Sequence, residues 1–283
     1  MTTSVFISVD MEGIAGITTV RQCTRGTEDY AWGRLLMTQE ASAAVAGAAD
    51  GGAHRIVVSD AHADMGNLLP HELDPRADLV QGTPKLPWSM MAGIEEGMDA
   101  ALFVGYHAGA GTPEAVLDHT YSGSFTEVRV KGEPWNETHL NAALAGTFGV
   151  PVVFVSGDRA CCDQAKERLP WVRTVAVKDG SASRTARSQS PHRAQAAIRG
   201  LVREAVKGVE HGAADVWIPE GPFPLEVDTV NTAVADIVAL APGSERCGPR
   251  SVRFEADDVR TLYRALLTWM RLSRGVAPVS PIE

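Results

Sequence analysis

Residues 5–13 read VFISVDMEG, and in this stretch an apolar run ends at two acids separated by one residue. Successive side chains of a β-strand point to opposite faces, so positions i and i+2 point the same way. Asp10 and Glu12 therefore converge if the strand geometry persists to Glu12. Because adjacent carboxylates repel each other unless a cation or a shared proton neutralises them, a buried strand that ends in this way predicts a metal site.

Two later apolar runs end in the same manner. Residues 55–62 read RIVVSDAH and close on an acid and an imidazole, and residues 101–107 read ALFVGYH and close on a second imidazole. Short, almost unbroken apolar runs are typical of a parallel sheet covered on both faces. Ligands bind beyond the carboxyl ends of such strands, so we expect His62 and His107 to share one site with the acids of the first run. Oxygen and imidazole donors suit zinc, and also manganese, cobalt or iron.

The order of the predicted elements indicates the fold class. Helical patterns between the apolar runs, the longest from about Tyr30 to Ala49, give a β-α-β-α-β order and so predict a mostly parallel sheet with helices on both faces. A further helix is predicted from Trp88 to Gly97. Residues 216–283 combine strand patterns with a long helical pattern. We therefore predict an α/β catalytic region over residues 1–215 and a smaller α+β region over residues 216–283.

Composition excludes several classes of protein. The chain has 283 residues and a formal net charge of -9, which argues against a nucleic-acid surface and against binding to anionic membranes. No apolar run approaches the roughly 20 residues that span a bilayer. The first four residues carry no basic side chain and the four cysteines form no C-x-x-C pair, so we expect a cytoplasmic protein with reduced thiols.

Four polar positions allow alternative roles. Asp60 lies two residues before His62, and we expect it to cap a loop or to orient the imidazole instead of binding metal. Glu137 and His139 lie about 200° apart on a predicted helix, so only one of them can face the metal. His119 lies in a polar stretch, where a surface histidine and a catalytic one are equally compatible with the pattern.

As a set, these motifs resemble the M55 family of zinc D-aminopeptidases. The matching segments occur in the family order and at similar spacing: SVDMEG at residues 8–13, SDAH at 59–62, GYHA at 105–108, the surroundings of His119, and NETHLN at 136–141. Weaker similarity extends over almost the whole chain. The opening S-x-D-x-E-G followed by two histidine motifs is fairly specific as a set, whereas each motif alone is weak.

The resemblance implies a site with two zinc ions per chain. It assigns as ligands Asp10, which bridges both ions, Glu12 and His62 on one ion, and His107 and Glu137 on the other. It favours Glu137 over His139 and gives His119 the role of catalytic base or nucleophile. It also implies a ring-shaped homo-oligomer, a decamer, with internal active sites.

The leading functional interpretation is a zinc aminopeptidase or related amide hydrolase that removes N-terminal residues, in the D or the L configuration, from short peptides. One alternative is a two-metal phosphoesterase, for which the same ligands are chemically competent. The basic residues nearest to the motifs in sequence, Arg55, Lys85 and Arg129, form no cluster that would receive a phosphate. The other alternative is an oligomer that binds a metal or a small molecule without turnover.

Overall fold

The computed structural model describes residues 3–209 and 211–276. They form the strands β1 (Thr3–Val9), β2 (Ala53–Asp60), β3 (Asp78–Val80), β4 (Ala100–Tyr106), β5 (Phe125–Val130), β6 (Glu133–Pro134), β7 (Val152–Asp158), β8 (Arg173–Ala182), β9 (Thr185–Ser188), β10 (Phe223–Thr229), β11 (Ser244–Arg246) and β12 (Ser251–Ala256). The α-helices are α1 (Val20–Cys23), α2 (Tyr30–Asp50), α3 (Glu137–Gly146), α4 (Arg159–Arg168), α5 (Pro191–Val209), α6 (Thr232–Val238) and α7 (Val259–Ser273).

The described residues divide into two compact units. The first takes in the chain up to residue 108 and residues 112–118 and 137–218, and the second takes in residues 109–111, 119–136 and those from 219 onward. The second unit thus draws on the middle of the chain as well as on its last part. The division into domains at residue 215 stays a prediction.

The first unit contains a seven-stranded sheet in the order β3-β2-β1-β4-β7-β8-β9. Its neighbouring strands are parallel except for the last pair, in which β9 returns antiparallel to β8. The predicted α/β class with a mostly parallel sheet is therefore confirmed. Because β1 lies between β2 and β4, the carboxyl ends of the three strands that end in acids or histidines are adjacent.

The faces of β1 show how the sheet is covered. Val5, Ile7 and Val9 are fully buried in a core that includes apolar residues of α2 and α5. The alternate residue Ser8 faces the other way, where its hydroxyl donates to the carbonyl of Met90 at 3.0 Å. Helix α3 packs against β4, and the turn around Met90 packs against β1. No helix among the described residues is both long and apolar enough to cross a membrane.

The second unit contains a five-stranded antiparallel sheet in the order β11-β12-β10-β5-β6. Helix α7 packs against β10 and β12 and also contacts α6. The turn between β5 and β6 has positive φ at both Lys131 and Gly132, which is the geometry of a two-residue hairpin.

The helix predicted from Trp88 to Gly97 is wrong. The segment forms two short 3₁₀ turns, Ser89–Met91 and Ile94–Glu96. Gly93, between them, has a φ of 106° and its α-carbon lies close to the side chains of β-strand residues, so that an added Cβ would lie 3.2 Å from Val57 Cγ1. A continuous right-handed helix cannot pass through a residue in this conformation.

Candidate metal centre

Five side chains of the first unit lie at the carboxyl edge of the parallel sheet. Asp10 and Glu12 follow β1, His62 follows β2, His107 follows β4, and Glu137 is the first residue of α3. All are buried, and the most exposed of them, Glu12, is 7% exposed. The convergence predicted from the strand ends is therefore present in the structure, and α3 adds a third carboxylate.

Asp10 lies between the two imidazoles. Its Oδ1 atom is 3.3 Å from His62 Nδ1, and its Oδ2 atom is 3.5 Å from His107 Nε2. Glu12 Oε2 is 3.0 Å from the same nitrogen of His62, and Glu137 Oε1 is 3.5 Å from the same nitrogen of His107. The cluster thus has two halves that share Asp10, and each half contains one imidazole and one further carboxylate.

Backbone carbonyls fix the orientation of both imidazole rings. His62 Nε2 is 2.8 Å from the carbonyl oxygen of Cys23, and His107 Nδ1 is 3.0 Å from the carbonyl oxygen of Ala108. A carbonyl oxygen only accepts hydrogen bonds, so in the neutral imidazole the proton lies on that nitrogen. The lone pair of the other nitrogen then faces the carboxylates, which is the arrangement of histidines that bind metal.

The electrostatics of the cluster favour bound positive charge. Burial and the neighbouring Glu12 carboxylate raise the pKa of the Asp10 carboxyl above its usual value. Burial lowers the pKa of His62, but Glu12 and Asp10 outweigh it and raise that pKa well above the usual value. Glu137 and Asp10 raise the pKa of His107 in the same way against the effect of burial. Three buried carboxylates thus attract protons or, equally, a divalent cation that displaces them.

The donor set fits zinc. Zinc in catalytic sites is bound by imidazole nitrogens and carboxylate oxygens, which are the donors that converge here. The ligand atoms of Asp10, Glu12 and His107 lie within 4.8 Å of one another. This spacing allows one ion to contact more than one of them.

A buried polar chain supports the ends of β1 and β4. Asn141 of α3 donates to the hydroxyl of Tyr106 at 2.8 Å, and that hydroxyl donates to Ser8 Oγ at 2.8 Å. Gly13 lies so close to β4 that an added Cβ would be 1.8 Å from the carbonyl oxygen of Tyr106. These contacts hold Ser8 and Gly13, which flank the two acids after β1, against Tyr106, the residue before His107. The S-x-D-x-E-G pattern contains both Ser8 and Gly13, but the sequence alone did not indicate what they contact.

Lys178 supports the same loop from β8 and was missed by the sequence analysis. Its fully buried ammonium group donates to the backbone carbonyl of Glu12, to that of Ile14 at 3.0 Å, and to that of Ile17 at 2.6 Å. Burial lowers the pKa of this amine to about 8. A lysine in an alternating strand pattern carries no signal of such a role, since most strand lysines face water.

Asp60 stabilises the loop that follows β2. Its carboxylate accepts hydrogen bonds from the backbone amides of Asn67 at 2.5 Å and Leu68 at 2.7 Å, and from the side chain of Asn67 at 2.8 Å. The side-chain amide of Asn67 also donates to the backbone carbonyl of His62 at 2.6 Å. Asp60 is therefore a loop-capping residue, which is one of the two roles expected for it.

Glu137 and His139 point in different directions, as their helical offset requires. His139 Nε2 is 3.0 Å from the carbonyl oxygen of Gln164 in α4, and the ring packs edge-on against Trp217. Burial lowers the pKa of His139 to about 4, so the imidazole is neutral at physiological pH. The helix thus presents Glu137, and not His139, to His107.

This geometry predicts opposite results for two matched variants. Glu137→Gln removes an anionic oxygen while nearly keeping the shape, and zinc affinity should fall by at least about tenfold, since even partners behind the ligands cost 10- to 100-fold. His139→Gln should leave zinc binding within a factor of about two. Calorimetric zinc titration of both variants beside the parent protein measures the difference. If His139→Gln loses zinc and Glu137→Gln keeps it, the ligand is His139 and not Glu137, which lies about half a turn away on the helix.

His119 belongs to the second unit, whereas the five residues above belong to the first. Its role as catalytic base stays a prediction from the resemblance. The ligand roles of the other five residues also stay predictions, which their geometry supports.

A parallel α/β sheet with buried carboxylates and imidazoles at its carboxyl edge is the architecture of an α/β metalloenzyme. The M55 peptidase family model, described as D-aminopeptidase, matches residues 3–268. The chain belongs to this family of metallo-aminopeptidases.

A sequence relative and a solved structure, both from Bacillus subtilis, extend the match over nearly the full chain. A D-aminopeptidase of strain 168 is 34% identical over 269 residues, which cover 95% of this chain and 97% of the relative. The solved structure described as the Zn-dependent D-aminopeptidase DppA, a self-compartmentalizing protease, superposes with a TM-score of 0.90 at 33% identity and covers 97% of this chain and 99% of that chain.

Proposed function

We propose that the chain is a zinc-dependent D-aminopeptidase that removes N-terminal D-amino acids from short peptides. The observation that carries the proposal is the two-halved cluster of carboxylates and imidazoles around Asp10. Membership of the M55 family supports the reaction, and the relative described as Zn-dependent supports the metal.

We infer a dinuclear centre from the position of Asp10. Its two carboxylate oxygens face different imidazoles, so each oxygen is available to a different ion. Glu12 and His62 would complete the ligands on one side, and His107 and Glu137 on the other. When bound, a pair of such ions supplies Lewis acidity to a water molecule and to the scissile amide carbonyl.

Other residues of the chain orient the ligands, support the loop that carries Glu12, and transfer protons. The carbonyls of Cys23 and Ala108 keep the two imidazoles in the tautomers that expose a lone pair to the metals. Lys178 and the close packing at Gly13 hold the Glu12 loop in place. His119 is proposed to take a proton from the attacking water and to donate it to the leaving amine.

The three basic residues that lie nearest to the motifs in sequence are each engaged by other partners in the structure, which argues against the phosphoesterase alternative. The Arg55 guanidinium pairs with Glu96, and the Arg129 guanidinium pairs with acids of its own sheet, among them Asp228 at 2.7 Å. The Lys85 ammonium is buried and donates to Ser59 Oγ at 2.5 Å. We therefore favour amide hydrolysis.

The experiment that tests the proposed function compares matched substrates. Zinc-loaded protein should release p-nitroaniline from D-alanine p-nitroanilide and should leave both the L-enantiomer and the N-acetylated D-compound largely intact. Hydrolysis of a phosphodiester probe with no amide hydrolysis would support the phosphoesterase instead. Absence of turnover with tight zinc binding would support the non-catalytic alternative.

We also propose that the chain acts in the cytoplasm as a ring-shaped homo-oligomer of ten subunits. The self-compartmentalizing description of the structural relative supports a multi-subunit assembly. Light scattering coupled to size-exclusion chromatography measures the mass of the particle, for which the expected value is ten times the 30.1 kDa of one chain. A monomeric or dimeric mass would contradict the ring.

Zinc stoichiometry tests the dinuclear centre. Protein that is stripped of metal, reconstituted with zinc and then freed of loosely bound ions should contain about two zinc ions per chain. Elemental analysis by plasma mass spectrometry gives the ratio of zinc to sulfur. A saturating value near one would mean that Asp10 does not bridge two ions.

A further inference from the structure

A cysteine sulfur lies beside one half of the proposed metal centre. Cys23, the last residue of α1, is buried, with 8% of its surface exposed. Its sulfur lies in a group with ligand atoms of Glu12 and His62, in which all three atoms are within 4.8 Å of one another. Neither the sequence motifs nor the family resemblance gives this residue a role.

The backbone of Cys23 is already tied to the site. Its carbonyl oxygen is 2.8 Å from His62 Nε2, so the residue that fixes this imidazole also brings its own side chain to the cluster. A residue two positions later strengthens the connection, because the Arg25 guanidinium pairs with Asp64 at 2.6 Å and donates to the carbonyl of Gly66 at 2.8 Å. Both acceptors belong to the loop that follows His62, so the end of α1 is fastened to that loop.

We propose that Cys23 is a further protein ligand of the ion held by Glu12 and His62. This inference rests on the proposed metal centre. Thiolate sulfur is a soft donor that binds zinc, cobalt and cadmium well and binds manganese and magnesium poorly. A sulfur, nitrogen and oxygen donor set on this side makes the centre selective for thiophilic metals. On binding, the S–H bond breaks, the proton passes to solvent, and a sulfur–metal bond forms.

Cobalt(II) serves as the probe, because a sulfur ligand gives cobalt an intense charge-transfer absorption in the near ultraviolet that oxygen and nitrogen ligands do not give. Metal-free parent protein titrated with cobalt should develop this absorption, and Cys23→Ser should lose it. Cys162→Ser, which alters another buried thiol, and Cys247→Ser, which alters an exposed one, should keep it. Competition with a chelator should show that the affinity of the Cys23→Ser protein for zinc at one site is lower by at least about tenfold.

A parent spectrum without the sulfur absorption, or one that survives in Cys23→Ser, overturns the ligand role of Cys23 and leaves the rest of the proposed centre intact. Failure of the parent protein to bind cobalt at all overturns the proposed centre together with this inference. A cadmium-113 resonance that is shifted strongly downfield by sulfur coordination in the parent protein, and that returns upfield in Cys23→Ser, gives an independent answer. A resonance in the range of oxygen and nitrogen ligands contradicts the proposal.

Discussion

Asp10→Ala is expected to lose both zinc ions and, with them, peptidase activity. Asp10 is the carboxylate that lies within 3.5 Å of both imidazoles, so its removal weakens the two halves of the centre together. Metal ions contribute several kcal/mol of transition-state stabilisation, and each 1.36 kcal/mol is a factor of ten in rate. kcat/KM should therefore fall by roughly a thousandfold or more.

Glu12→Ala is the matched control for this variant. Glu12 contacts His62 but belongs to one half of the centre, so its loss should weaken mainly one ion. Elemental analysis and steady-state kinetics are measured on both variants, and far-ultraviolet circular dichroism verifies that they fold. If Asp10→Ala keeps one tightly bound zinc ion, Asp10 is a ligand of a single ion and the bridging assignment is wrong.

His119→Ala is expected to keep its zinc and lose most of its turnover. Proton transfer by a positioned side chain contributes on the order of 10²- to 10⁴-fold, so kcat should fall by about that factor. His62→Ala and His107→Ala should instead each bind one ion more weakly. The distinction between proton transfer and ligation therefore depends on measuring metal content and kcat on the same samples.

His71→Ala serves as the control for the histidine series. The His71 side chain is 73% exposed and lies 3.9 Å from the exposed carboxylate of Glu72. Its removal should change neither zinc content nor kcat. A His119→Ala protein that is depleted of zinc, or that remains fully active, would contradict the role of His119 as the base.

The part of the site that the sequence predicted is the part carried by strand ends. An apolar run that stops at Asp10 and Glu12, or at His107, indicates a buried strand, and the polar residues that follow it are expected at the carboxyl edge of the sheet. The same rule does not extend to Glu137, because a helix position has no such marker and His139 was an equal competitor on pattern alone. The resemblance, and then the contacts of α3, separated the two.

The contacts that support the site could not be predicted from the sequence, because they join residues that are far apart along the chain. Lys178 and the Cys23 carbonyl act on residues that lie far away along the chain, and neither residue type in its local pattern specifies its partner. The helix prediction for residues 88–97 was wrong for a different reason. Its apolar residues fit a helix, but Gly93 takes a left-handed conformation that only the surrounding packing reveals.

The hydrogen bonds of Lys178 have a consequence for the order of events during synthesis. The ammonium group holds the carbonyl of Glu12 from a position 166 residues later in the chain. When β1 leaves the ribosome, the strand that fastens its acidic end has not yet been translated. The loop that carries Glu12 therefore lacks this anchor until β8 has joined the sheet, and we expect tight metal loading only after residue 178 has been translated. A nascent chain arrested before residue 178 is expected to fail to retain zinc that the full-length chain retains.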